Sequence, residues 1–369
     1  VFVAWRDLRF AKGRFALMGA VITLITLLVG LLSALTAGLG RQNISAITGL
    51  PADRIAFAAP GPGRSLSYGD SAVTVRQWQR WAEVPGVTRA EPLGITTTRA
   101  TAGDRSTPVS AFGVRNGSRL APDGGAIHDR TAVLSTTAAA DLGGLAPGDT
   151  FALAGRKLTV AAVAGDASFS HTPVIWTGLS TWASVAPPGA AGTAAGTDSA
   201  ASATVIALDT TAGADVAAAD RAIGTRTVTK DGSLSAIGSY ASENGSLQLM
   251  RGFLFAISAL VVGAFFTVWT IQRAGDIAVL KALGASTAHL LKDALGQAAA
   301  LLVGGTLLGT GIAAAFGALV VPDTVPFLLT PATVLAPAAV MILLGALGAA
   351  LSVRRITSVD PLTALGSAR

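Results

Sequence analysis

The chain contains no cysteine, and that absence removes disulfide cross-links, thiolate metal centres and cysteine nucleophiles together. Histidine is nearly as scarce. The three present, His128, His171 and His289, are not at the i, i+4 spacing of a conventional zinc site. Of the five lysines, at 12, 157, 230, 281 and 292, none has the Gly-Lys-Ser/Thr context of a phosphate-cradling loop. No Gly-x-Ser-x-Gly elbow occurs, and no carboxylate pair stands out as an acid/base couple. Charged residues are only 13% of the 369, against roughly 25% in ordinary soluble domains. These absences exclude a self-contained ATPase or hydrolase.

Long uncharged runs take the place of charge. One lies between Arg14 and Arg41, a second between Arg251 and Arg273, a third between Asp293 and Asp323, and a fourth from Phe327 to Val353. At ~1.5 Å per residue each is long enough to cross a hydrocarbon core of ~30 Å. Pro331 and Pro337 in the fourth are tolerated in a membrane helix because neighbouring helices satisfy the freed carbonyls. The expected spans are 15–40, 249–272, 289–320 and 328–353. The first run is too long for a signal-peptide core and lacks a small-residue cleavage pattern, so it is expected to be retained. The fold class follows: four transmembrane helices with a large extracellular α+β domain, residues 41–248, between the first and second.

Orientation follows from the basic residues. Arg6, Arg9, Lys12 and Arg14 precede the first span, Arg273, Lys281 and Lys292 follow the second, and Arg354, Arg355 and Arg369 follow the fourth. The loop at 321–327 carries only Asp323. The positive-inside rule places both termini, with segments 1–14, 273–288 and 354–369, in the cytoplasm of a multi-pass cell-membrane protein. Residues 41–251 hold 17 basic and 16 acidic side chains, so five of the six excess charges lie on the other segments. The basic pI therefore reflects topology, with no nucleic-acid partner implied. High alanine and glycine content fits a high-GC bacterial genome.

Within the external region, Thr74–Glu83 places Val75, Trp78 and Trp81 at helical spacing, and Val109–Val114 reads as a strand. Ala132–Leu134 reads as a strand and Thr136–Leu142 as a helix. Phe151–Leu153 and Leu158–Val163 read as a hairpin around Gly155. The Pro-, Gly- and Ala-rich stretch Pro187–Ala203 reads as a surface loop. Val205–Leu208 is strand-like and Ala212–Ile223 helical, giving two α/β lobes in one domain. Gly30, Ala34 and Gly38 form a small-residue ridge on the first span, and Gly305 with Gly309 a GxxxG on the third.

Three segments resemble a known family. DIAVLKALGAS (Asp276–Ser286), RRITSVDPLTALG (Arg354–Gly366) and TAVLSTTAAADLGGLAPGDTFALAGRKLTVAAVAGD (Thr131–Asp166) are similar to FtsX-like and MacB-like ABC transporter permeases. The resemblance implies a permease homodimer with two ATPase subunits, the first and second spans forming the dimer contact. ATP and Mg²⁺ would be handled on the partner chain, with no cofactor intrinsic to the permease. Asp276, Ile277, Leu280 and Lys281 would form the coupling helix, with Ile277, Leu280 and Gly284 on one docking face.

The segments AWRDLRFAKGRFALMG (Ala4–Gly19) and SAIGSYASENGSLQLM (Ser235–Met250) look most like the HrtB-type heme-exporting permeases of Gram-positive bacteria. That implies efflux of heme from the membrane to the outside. Heme needs apolar walls, a cation for its propionates and an O, N or S ligand for iron, the only metal expected. Near the outer ends of the first two spans, Glu243, Tyr240 and Met250 accompany Arg41, Arg251 and Phe253, with Phe255 beside them. Glu243 is the only glutamate beyond the first hundred residues. His171 competes with it as an external ligand, and on the Glu243 assignment His171→Ala is expected to leave heme binding unchanged. Two other readings stand beside heme export: efflux of a lipid, peptide or antibiotic, and FtsX-like transmembrane signalling to a cell-wall hydrolase.

Overall fold

A computed structural model describes residues 12–186, 201–272, 286–320 and 325–354, with 275, 279 and 284. In chain order the elements are α1 (Lys12–Thr48), β1 (Arg54–Ala58), β2 (Val73–Thr74), α2 (Val75–Ala82), β3 (Val87–Ala102) and β4 (Arg105–Val114). Then come β5 (Thr131–Leu134), α3 (Thr136–Asp141), β6 (Thr150–Leu153), β7 (Arg156–Val163), β8 (Ser168–Phe169), β9 (Thr172–Gly178) and α4 (Leu179–Val185). The remainder are β10 (Ala201–Ala203), β11 (Val205–Thr210), α5 (Val216–Ile223), β12 (Thr225–Thr229), α6 (Gly238–Gln272), α7 (Thr287–Leu319) and α8 (Pro331–Arg354). The chain divides into two compact units, Leu39–Gly245 and the remainder.

The first unit is an α+β domain. Its main sheet runs β12-β1-β11-β3-β4-β9-β5-β7-β6, and β3 pairs with β6 as well, closing the second half into a ring. The 16-residue β3 is shared by both halves, so the two expected lobes exist within one continuous sheet. Local chemistry sets the elements. Thr74 caps α2 in a reciprocal box, its hydroxyl accepting from Gln77 N at 3.2 Å while Gln77 Oε1 accepts from Thr74 N at 2.9 Å. The β6–β7 turn places Ala154 and Gly155 at φ 48° and 80°, the geometry of a two-residue hairpin. Helix α5 is shorter than the expected Ala212–Ile223, because Asp215 caps it by accepting from Ala218 N at 3.0 Å. Of the expected surface loop, 187–200 lies outside the described residues, while Ala201–Ala203 pairs with β2 as a strand.

An aromatic ladder occupies one core of this unit. Phe57, Tyr68, Phe169 and Phe112 stack edge to face with centroids 4.8, 5.5 and 5.7 Å apart. The Tyr68 hydroxyl donates to Ser233 Oγ at 2.9 Å, and burial pushes its phenol above the ordinary tyrosine range.

The second unit is helical and apolar. Among the described residues, four helices are long and apolar enough to span a bilayer: Phe15–Thr48, Gly238–Gln272, Ala294–Leu319 and Pro331–Leu351. Packing depends on missing side chains. A Cβ on Gly309 would lie 2.5 Å from Thr23 O and 2.9 Å from Thr26 Cβ, so α7 approaches α1 to backbone contact. Thr23 Oγ1 donates to Gly305 O at 3.3 Å along the same seam. The ridge on α1 is occupied within the chain: Gly30 faces Ala313, and Gly38 abuts the Pro326 carbonyl. Leu328 N also donates to Ala34 O at 3.1 Å. A second cluster joins Phe15, Met18 and Ile22 of α1 to Val262, Phe266 and Trp269 of α6, with Ala298 and Leu302 of α7.

Candidate functional site

Three distant segments of the α+β unit converge on one polar cluster. The first is the end of α1, where Asn43, Ala46, Ile47 and Leu50 follow the i, i+3, i+4, i+7 rule of a buried helical face. Ala46, Ile47 and Leu50 enter the apolar core, and Asn43, one turn earlier, is 1% exposed. A buried amide must be hydrogen-bonded to be tolerated there.

The second is the turn between β8 and β9. Pairing of Ser168 with Pro173 and Phe169 with Thr172 leaves Ser170 and His171 as a two-residue turn, with φ of 50° and 63°. This left-handed geometry favours glycine or asparagine, so two side-chain-bearing residues need external support. Helix α1 supplies it: Ser170 N donates to Asn43 O at 3.0 Å and His171 N to Gln42 O at 3.2 Å. Ser168 N donates to Ser45 Oγ at 2.8 Å, and Phe169 is anchored in the aromatic ladder.

The third is the start of α6, which places Ser239 and Glu243 on one face at i, i+4 spacing. Ser239 Oγ donates to Asn43 Oδ1 at 2.6 Å and shares a 2.8 Å hydrogen bond with Ser170 Oγ. Glu243 Oε2 lies 2.8 Å from His171 Nε2 and accepts from Asn43 Nδ2 at 3.2 Å, and Asn43 Nδ2 is 3.0 Å from His171 Nε2. The His171 and Glu243 side chains are 30% and 43% exposed, so solvent reaches the cluster that Asn43 supports from beneath.

The sequence sets Glu243 and His171 up as rivals; the structure makes them direct neighbours. Tyr240 instead packs its ring against the apolar core. Arg41 pairs with Asp166 at 3.5 Å, both side chains about half exposed, a weak surface contact. Met250, Arg251 and Phe253 lie on α6 in the membrane unit, Met250 and Phe253 exposed at 49% and 61%. His128 sits exposed in a turn, and the side chain of His289 lies outside the described residues. The coupling residues Asp276, Ile277, Leu280 and Lys281 also lie outside them. Among the described residues no three His, Cys, Asp or Glu side chains cluster as metal ligands. Asn43, Ser170 and Ser239 escape sequence reasoning, although the periodicity of Asn43 with Ala46, Ile47 and Leu50 marks it as buried. Within the membrane unit an apolar groove of about 630 Å³ runs between Leu17 and Met18 of α1 and Phe265, Val268, Trp269 and Gln272 of α6.

A known protein aligns with nearly the whole chain. A putative hemin transport system permease protein HrtB from Staphylococcus haemolyticus is 25% identical over 368 residues, 99% of both chains. A namesake from Staphylococcus epidermidis is 33% identical over 144 residues, 38% of this chain and 40% of that one. The periplasmic region of MacB from Actinobacillus actinomycetemcomitans aligns at 13% identity and a TM-score of 0.35, covering 50% of this chain and 92% of that one. The MacB-like periplasmic core domain model matches residues 16–226, and the FtsX-like permease C-terminal model matches residues 249–361. Covering more than half of the sequence between them, these matches show that the chain belongs to the FtsX- and MacB-like family of ABC transporter permeases, membrane proteins that work with an ATPase partner.

Proposed function

We propose that this permease exports heme from the cell membrane to the outside, driven by ATP hydrolysis on a separate subunit. The observation that carries the reading is the end-to-end similarity to a permease named for hemin transport. Glu243 is the proposed iron ligand: its carboxylate is 43% exposed and is held through Oε2 by Asn43, which leaves Oε1 to the ligand. Arg41, in the same unit, is the proposed partner of the propionates. The permease acts as a homodimer with two ATPase subunits, both termini cytoplasmic, in a Gram-positive cell. Heme enters sideways from the outer half of the bilayer, and ATP binding expels it by favouring a closed state with lower affinity.

The test is an absorption spectrum of the permease–ATPase complex purified from heme-supplied cells. A stoichiometric Soret band is expected, lost or shifted in Glu243→Ala. Because His171 lies 2.8 Å from that carboxylate, His171→Ala is expected to shift the band as well. A folded, ATPase-active wild-type complex without the band would overturn the heme reading. The groove at Leu17 and Trp269 favours a second cargo, a membrane amphiphile such as a lipid, because five of its six lining residues are apolar and the sixth is Gln272. Nucleotide-dependent depletion of a labelled lipid, in place of heme, would establish that alternative.

A further inference from the structure

We infer that Asn43, His171 and Glu243 form a binding site for a divalent first-row transition-metal ion, independent of whether heme is the cargo. Asn43 Nδ2, His171 Nε2 and Glu243 Oε2 make a triangle with edges of 3.0, 3.2 and 2.8 Å. With Glu243 ionised, hydrogen bonding alone cannot satisfy all three edges. Imidazole Nε2 carries either a proton or a lone pair, so it cannot both accept from the amide and donate to the carboxylate. If it donates to Glu243, its contact with Asn43 Nδ2 sets two donors against each other. If it accepts from Asn43, an ionised Glu243 oxygen faces a nitrogen lone pair. Rotating the Asn43 amide by half a turn exchanges its oxygen and nitrogen and leaves two acceptor oxygens in contact. With Glu243 ionised, every arrangement leaves one edge without a bond.

A cation satisfies all three edges. With the amide oxygen turned inward, the three atoms are an imidazole nitrogen, a carboxylate oxygen and an amide oxygen, each with a lone pair to give. A point about 2.1 Å from all three, an ordinary metal–ligand distance, has ligand–metal–ligand angles of about 90°. This is one face of an octahedron, and the partial exposure of His171 and Glu243 leaves the opposite face to water. The surroundings permit the amide rotation. Ser239 then accepts from Asn43 where it had donated, and because either hydroxyl of the Ser170–Ser239 pair can be the donor, that bond can reverse. The imidazole selects Zn²⁺ or Fe²⁺ over Ca²⁺ and Mg²⁺, which take oxygen ligands. Bound metal would fasten the end of α1, the β8–β9 turn and the start of α6 to one another.

The full-length, tag-free permease in detergent, stripped with a chelator and free of heme, is titrated calorimetrically with Zn²⁺ and its bound metal counted by mass spectrometry. One Zn²⁺ per chain is expected, with affinity at least tenfold lower in H171Q and E243Q and no competition from Ca²⁺. N43D supplies a carboxylate oxygen at the amide position and is expected to bind at least tenfold more tightly. Wild-type binding equal to that of H171Q, or a folded N43D no tighter than wild type, would overturn the site. Should N43D fail to fold, H171Q on its solvent-facing turn decides the question alone. Heme titration of the same samples is read separately, so loss of the heme reading leaves this result standing.

Discussion

The α+β unit and the membrane unit solve packing in opposite ways. In the α+β unit, bulk fills the centre: Phe57, Tyr68, Phe112 and Phe169 interlock, and Trp182 lies over Gly94 and Gly113. In the membrane unit, contact depends on side chains being absent, as Gly305 and Gly309 let α7 rest on the backbone of α1. Surfaces are reversed as well. Among the described residues, every exposed large hydrophobic side chain, such as Leu24, Phe253, Leu260 and Leu351, belongs to the membrane unit. Among the described residues, the hydroxyls of Thr26, Ser33, Thr270 and Thr306 are buried there without a hydrogen-bond partner, against Trp182 Nε1 in the α+β unit, where Asn43 uses both ends of its amide. Water supplies the drive to bury aromatic bulk in one unit. Lipid supplies none in the other, so close approach and dispersion must hold the helices.

That contrast can be broken by substitution. The largest effect is expected from Phe169→Ala, which removes the central ring of the ladder and the anchor of the His171 turn. A loss of about 3–5 kcal/mol is expected for the α+β unit, read as a lower urea midpoint of near-UV circular dichroism on the full chain in detergent. An unchanged midpoint would show that the ladder does not hold the unit. Gly309→Leu comes next, since even a first carbon lies 2.5 Å from Thr23 O. An overpacking cost of about 1–3 kcal/mol is expected in the membrane unit. Its thermal midpoint in detergent should fall while the urea transition of the α+β unit stays in place, and a joint shift of both would contradict the separation. Leu280→Asp should move neither midpoint. On the reading that the Asp276–Ser286 segment docks the ATPase, the added charge is expected to abolish co-purification, and recovery of the wild-type complex with full ATPase activity would refute that reading.

Much of this molecule is written in local pattern. The four apolar runs, the Thr74 cap with Gln77, and the hairpin around Gly155 each depend on residues within a few positions of one another, so periodicity and turn chemistry suffice to find them. The GxxxG at Gly305 and Gly309 was legible as a contact surface, but its partner was not. That partner is α1, whose own ridge at Gly30, Ala34 and Gly38 packs within the chain. Ala212–Ile223 was located as a helix but begins late, because Asp215 competes locally for the cap.

The sequence alone determined that this is a membrane protein with four spans and one large inserted domain, because hydrocarbon thickness imposes a length and a composition on each segment independently of the others. Glu243 could also be singled out by its rarity. Only the tertiary structure decided what surrounds it. Asn43, His171 and Glu243 come from a helix end, a strained turn and a helix start far apart in the chain, and no local spacing relates them. Their meeting is a product of sheet register and of the aromatic core that fixes Phe169, and such long-range packing is a property of the whole fold, not of any segment within it.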